Sequence, residues 1–440
     1  MRIGIVPLLQ PDSGGVYQYS LNILQAFQSP EIVRLGNEVV VFVHDVHNSE
    51  LKHHCAPNWR IFPLNPPTFR SRVGDGIKRI KGDKYLGKLI KNALLIINHR
   101  ARASERSPNT NRVNIKPELG IWFRKCGVDI MFFPVPMSIS FESGVPYVMA
   151  VHDLQHRLQP HFPEVSANGE WQRREYLFRN GIRNATLILV DSETGKEDVI
   201  NCYGSFGIEH QRIKELPFLP SPYLLEDDSP KERHRVRNEY DLPPRYFFYP
   251  AQFWPHKNHA RIVEALGILK EHHEITAPIV FCGSHTNTIR SQTFDEVLAL
   301  AYRLGIKDHI HYIGYVPNED MQSLYADAVA LVMPTFFGPT NIPIIEAWTA
   351  GCPVLTSDLR GIREQVGNAA ILADPNSAES IADGLLRLWR NKELRSQLRL
   401  SGRLRISDYT ADDFNVRLGN ILEAVSVLQG HQEKRCNEIY

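Results

Sequence analysis

The stretch 333–354, MPTFFGPTNIPIIEAWTAGCPV, concentrates residues whose types and spacing suit one kind of ligand. An apolar run at 329–333 stops at Pro334, a turn-rich loop spans 338–343, and helix formers follow at 344–350 before Gly351 and Pro353. The start of a helix presents unpaired backbone N–H groups and a positive dipole, which suit a phosphate. The same spacing puts Glu346 in the first helical turn, where its carboxylate can accept from hydroxyls. An anion site beside a hydroxyl acceptor is what a sugar nucleotide needs, although an ordinary strand–helix connection of an α/β domain has this pattern too. Three further sites offer related chemistry. Gly14-Gly15 follows the first apolar run and allows a backbone to approach a ligand closely, or simply makes a tight turn. His152-Asp153 stands at the carboxyl end of a strand, where open α/β sheets place ligands, or caps that strand. Lys257 precedes a helix and is placed to pair with a phosphate, or to sit in solvent as most lysines do.

Elements of one architecture position these residues. Apolar runs at 2–6, 38–43, 128–133, 147–151 and 186–190 read as strands, with helices at 16–27, 164–182 and 197–202, the last capped around Asp191-Ser192-Glu193. Residues 216–244 hold six prolines among many charges and read as a linker. Strand–helix alternation then resumes with strands at 245–249, 278–282, 309–313, 329–333 and 353–356. Helices are expected at 258–270, 296–303, 318–326, 344–350 and 412–428. Alternation on both sides of a linker predicts two doubly wound Rossmann-like domains facing a central cleft. The loop at 12–15 lacks the G-x-G-x-x-G fingerprint, which argues against hydride transfer with NAD.

In order along the chain, these motifs resemble those of the family-4 retaining glycosyltransferases, which have the GT-B fold. On the family pattern P-S-x-x-E-G-F-G-L-P-x-x-E-A, Pro334, Pro343, Glu346 and Ala347 match. Gly338 stands where the first glutamate belongs, and Thr340-Asn341 replaces Phe-Gly. The segment 250–259 resembles G-R-L-x-x-x-K-N/G, with Lys257 on the lysine and Gln252 on the arginine. Residues 314–317 resemble a segment that lies beside the nucleobase, and 361–364 fit G-x-x-E, with Glu364 read as structural.

The resemblance implies a domain at 1–220, a nucleotide-sugar domain at 240–408, and a helix and tail at 409–440 returning to the first domain. It implies retaining transfer of a sugar from a nucleoside diphosphate sugar to a hydroxyl acceptor, a glycan, lipid-linked sugar or small molecule. His152, Lys257 and Glu346 are then catalytic, with Glu346 on ribose, Lys257 on the diphosphate and His152 positioning the sugar. Gly14, Gly15, Gln252, Val316, Thr340, Asn341, Ile342 and Pro343 bind substrate, with Thr340 and Asn341 standing in for the missing glutamate. No metal and no resident cofactor are expected, the sugar nucleotide being a co-substrate. Gly338 and Gln252 leave open a catalytically silent sugar-nucleotide binder, and the architecture also admits a sugar-nucleotide epimerase.

Composition fits this reading. A net charge of +1, 43% apolar and 22% charged residues are ordinary values that do not suggest nucleic-acid binding. Six scattered cysteines with no C-x-x-C pair favour a reducing compartment, and a cytoplasmic protein is expected. Residues 70–112 differ, with twelve Lys/Arg against three acids, and the rest of the chain therefore carries a net −8. Apolar residues at helical spacing opposite Lys84, Lys88 and Lys91 suit either peripheral contact with an anionic membrane or a core-packed helix with a solvated face.

Overall fold

The computed structural model describes residues 1–66, 113–225 and 229–439, so the basic stretch 70–112 and its membrane expectation lie outside the described residues. Two parallel sheets form the frame. The first holds β1 (Arg2–Ile5), β2 (Glu38–Val43), β3 (Arg60–Pro63), β4 (Ile130–Phe133), β5 (Tyr147–Ala150), β6 (Leu187–Val190) and β7 (Ile213–Glu215), in the order β3-β2-β1-β4-β5-β6-β7. The second holds β8 (Phe247–Pro250), β9 (Ile279–Cys282), β10 (Ile310–Tyr312), β11 (Leu331–Met333), β12 (Val354–Ser357) and β13 (Ile371–Ala373), in the order β10-β9-β8-β11-β12-β13. Strands buried on both faces must be apolar throughout, and β4 and β9 are buried at every residue. Each sheet reverses its strand order once, between β1 and β4 and between β8 and β11. Loops leaving the carboxyl ends of strands at such a reversal form a natural ligand crevice.

Helix boundaries depart from the sequence reading where a cap or a special backbone angle decides. The helix expected at 164–182 is two, Pro163–Ser166 and Glu170–Asn184, because Asn168 and Gly169 adopt positive φ of 54° and 78° between them. The linker contains a helix of its own, Pro230–Glu239, capped by Ser229 accepting from the Glu232 amide at 3.2 Å. Ser-Pro-Lys-Glu is a capping-box spacing with proline at the first helical position, a signal that the charge and proline content obscured. The helix expected at 296–303 starts at Thr288 on an Asn287 cap.

The last helix, Ala411–Ile439, returns to the first domain. Phe414, Leu418, Ile421, Leu422 and Val425 form one helical stripe and share a core with Leu24, Phe27 and Ile32. Direct bonds also tie the domains beside the cleft. Glu364 accepts from the amides of Glu193 and Thr194 at 3.1 Å each and from the Thr194 hydroxyl at 2.7 Å. A residue of the second domain thereby caps helix Glu193–Tyr203 of the first. Arg360 pairs with Glu197 and Asp198 on that same helix.

Candidate functional site

Between the two switch points lies a cleft of about 630 Å³. The loops after β1, β5, β8 and β11 bring Gly14, Gly15, His152, Gln252, Lys257, Thr340, Asn341, Ile342 and Pro343 to its walls. Val316 and Glu346 do not line it. Val316 is buried in the core of the second domain.

The glycine pair does two jobs. Gly14 sits at φ 63°, ψ −129°, a conformation that L side chains rarely adopt, and its carbonyl accepts from the Tyr17 and Gln18 amides to start helix Gly15–Ala26. At Gly15 a Cβ would stand 3.2 Å from Ile342 Cδ1, so this glycine lets the first helix of one domain meet a helix start of the other. Two helix N-termini therefore converge on the cleft, each favouring negative charge.

That second helix, Ile342–Thr349, begins two residues earlier than the sequence suggests. Its amides are fewer than expected, since the Gln365 side chain clamps Asn341 through both N–H and C=O at 2.9 Å and Pro343 has no N–H, which leaves Ile342. The shifted start carries Glu346 into the second turn, where it does not line the cleft. Its Oε1 accepts from Ser221 and, at 2.9 Å, from Tyr223, while Oε2 accepts from Tyr325 at 2.8 Å. Burial raises the pKa of this carboxyl, and the three hydroxyls offset part of the rise. In this structure Glu346 ties the linker to the second domain.

Lys257 is half-buried at the cleft wall, and its ammonium forms no ion pair within 4 Å among the described residues. Burial lowers its pKa to about 8, with Asp153 and Glu164 pulling the other way. The adjacent Asn258 takes the left-handed backbone at φ 63°, which explains an Asn or Gly after the lysine. Asn258 also ties the loops after β8, β11 and β13 together by donating to the carbonyls of Pro334 and Pro375 at 2.7 and 2.8 Å.

Gln252, in the place of an arginine, is not far from one. Its Oε1 accepts from Arg290 Nη1 and from the Trp254 indole, both at 2.9 Å, and the guanidinium lies 4.8 Å from the Trp254 ring centre. Arg290 thus restores a positive charge beside position 252 from the first turn of helix Thr288–Arg303.

Across the cleft, His152 Nε2 bonds to the Pro134 carbonyl at 2.8 Å. A carbonyl only accepts, so Nε2 carries the proton and Nδ1 keeps a lone pair. Burial lowers the pKa of this imidazole, favouring the neutral form, and Tyr19 holds the ring edge-to-face at 4.8 Å. Burial pushes the Asp153 pKa up, but Arg174 at 3.0 Å leads the groups that hold it below its ordinary value. Thr340 is occupied, its hydroxyl bonded to Asp191 of the first domain. Asn341 is 7% exposed, and its Nδ2 has no partner among the described residues.

The chain can be compared with known proteins. It is 29% identical over 234 residues to the O-antigen chain mannosyltransferase B of Escherichia coli, a match covering 53% of this chain and 59% of that one. It is 21% identical over 304 residues to the serotype-specific mannosyltransferase WbdA of Escherichia coli, covering 65% and 34%. The chain thus spans less than two thirds of the length of either relative. Among solved structures it resembles Anabaena HepE, crystallised with UDP and glucose, at a TM-score of 0.66 and 16% identity over 96% of this chain and 100% of that one. A glycosyltransferase of Rickettsia africae aligns at a TM-score of 0.63 and 16% identity over 97% and 98%. Residues 230–405 match the family model of the group 1 glycosyl transferases, and the chain has the GT-B fold.

Proposed function

We propose that this protein transfers a hexose, mannose on the strength of its relatives' names, from a nucleoside diphosphate sugar to a hydroxyl of a growing glycan, with retention at the anomeric carbon. The observation that carries the reading is the Lys257 ammonium, half-buried and without an ion pair among the described residues, in a cleft where two helix N-termini converge. A diphosphate is the ligand that such a site suits. As the bond between the anomeric carbon and the phosphate oxygen breaks, negative charge grows on the diphosphate. Lys257 and the amides of Gly15 and Ile342 stabilise that charge where it develops. His152, neutral with its lone pair on Nδ1, accepts a hydroxyl of the donor sugar and fixes its orientation. The acceptor oxygen bonds to the anomeric carbon on the face the diphosphate leaves, and the departing phosphate oxygen takes its proton. No protein base is needed on this route.

The test is to incubate the purified protein with GDP-mannose or UDP-glucose and neutral glycosides and to follow the anomeric protons by NMR. Product with the donor's α configuration is expected. A β-linked product contradicts retention. Isomerisation of the donor without an acceptor points instead to epimerisation, and binding without turnover to a silent binder.

A further inference from the structure

Strands β8 and β9 are neighbours in the second sheet, so the loops leaving their carboxyl ends run side by side. The loop after β8 carries Gln252, Phe253 and Trp254, and the loop after β9 leads through the Asn287 cap into helix Thr288–Arg303. Packing locks the two together. Phe253 is fully buried and meets the Phe294 ring edge-on at 4.9 Å, while His285 stacks on Phe294 at 4.4 Å. Arg290 stands one turn before Phe294 on the same face of the helix, which brings its half-buried side chain to the β8 loop.

What the guanidinium meets there is the amide of Gln252. Gln252 Oε1 accepts from Arg290 Nη1 and from the Trp254 indole, both at 2.9 Å. Two N–H donors that converge on one atom identify it as the amide oxygen, which settles which end of the amide is Nε2. The guanidinium also lies over the Trp254 ring, 4.8 Å from its centre, so all three side chains hold one another. Rotamer freedom that a glutamine would lose on binding a ligand is thereby removed beforehand. A cation on the oxygen does a second thing: it polarises the amide and strengthens its N–H groups as donors. Gln252 lines the cleft together with Lys257, whereas Arg290 does not. The arginine therefore acts on the cleft through the amide and not by touching a ligand.

We infer that Arg290 is a positioning residue for the diphosphate: it fixes and polarises the Gln252 amide, whose Nε2 donates to a phosphate oxygen in the Lys257 cleft. The inference rests on the diphosphate reading of that cleft. Positive charge then reaches the leaving group along two routes, directly from the Lys257 ammonium and through one amide from Arg290.

Titrations of guanosine and GDP, and of uridine and UDP, into the 440-residue chain test it, followed by NMR. For the diphosphate that the parent binds, Arg290→Met should weaken binding about tenfold, the loss of a charge-assisted bond, and leave the nucleoside's affinity as it was. Arg290→Lys keeps a cation within reach of the amide oxygen and should lose less. The double variant Gln252→Arg with Arg290→Met puts a cation on the cleft wall itself and should regain the parent's affinity for the diphosphate. A mere staple between two loops behaves otherwise: its loss weakens nucleoside and diphosphate alike, and Gln252→Arg does not repair it. The inference is overturned if Arg290→Met binds the diphosphate as the parent does, if nucleoside and diphosphate weaken together, or if the double variant regains nothing. Should Arg290→Met fail to fold, Gln252→Leu removes the amide and leaves the helix intact. It carries the same expected loss, and unchanged affinity there also overturns the inference. Absence of diphosphate binding by the parent would instead refute the reading of the cleft on which the inference rests.

Discussion

At the scale of single residues, Gly338 and Asn341 make one unit. Gly338 has φ 139°, and a Cβ there would lie 2.5 Å from Asn341 Nδ2. The asparagine side chain fills the space that any side chain at 338 would need, so Gly338→Glu alone should destabilise the protein by about 1–3 kcal/mol through strain and overpacking. Adding Asn341→Gly removes the clash and should recover part of that loss. Melting temperatures of the two singles and the double give the coupling, and strict additivity would show that the positions are independent. Glu346 calls for a different experiment. Removing its carboxylate strands the hydroxyls of Ser221, Tyr223 and Tyr325, so Glu346→Ala should cost about 2–4 kcal/mol in chemical denaturation. Undiminished stability would return the residue to a ligand-binding role. The sequence pattern identified this position, but not its partners, because two of them stand 125 and 123 residues away on the linker. Arg290 was hidden for the same reason, 38 residues from Gln252 with only a fold to join them.

At the scale of elements, strands were legible because a strand buried on both faces is a continuous apolar run. The Ser192 cap was legible, but other helix starts were less so, since Ser229 and Asn287 act through a single side-chain bond apiece. The element contact with the clearest consequence joins the loop after β11 to the loop after β6, through Thr340 and Asp191. Burial raises the Asp191 pKa from 3.8 to about 7, against the hydroxyls of Thr340 and Ser192, which lower it. Between these values the folded state keeps a proton that the unfolded chain has released, so stability falls as pH rises from about 4 to 7, and the full penalty applies above 7. Asp191→Asn keeps an acceptor for Thr340 and removes the charge. It should be more stable than the parent by about 2–4 kcal/mol at pH 8, with the two converging as pH falls towards 4. Parallel stability curves across that range would show that Asp191 is not the group titrating.

At the scale of the whole molecule, two sheets set their switch points face to face, and a final helix and a linker bind the halves together. Alternation of elements made that plan readable, and motif order located the loops after β1, β5, β8 and β11. A second interdomain cavity was not readable, because Glu164, Asn168 and Asn287, which line it, match no motif and meet only in the folded chain. The proposed function requires a diphosphate on Lys257 in the cleft between the switch points. Calorimetric titration of GDP and UDP into the parent and Lys257→Met, in buffers of differing ionisation enthalpy, tests this most directly. Burial lowers the pKa of the ammonium to about 8, and a neighbouring diphosphate favours its charged form. One nucleotide should bind with proton uptake at and above pH 8 and with affinity that weakens as pH climbs further. Lys257→Met should lose about 10–100-fold in affinity, together with the proton uptake. Equal affinity and equal proton exchange in the two proteins, or no binding of either nucleotide, would rule out a diphosphate site at Lys257.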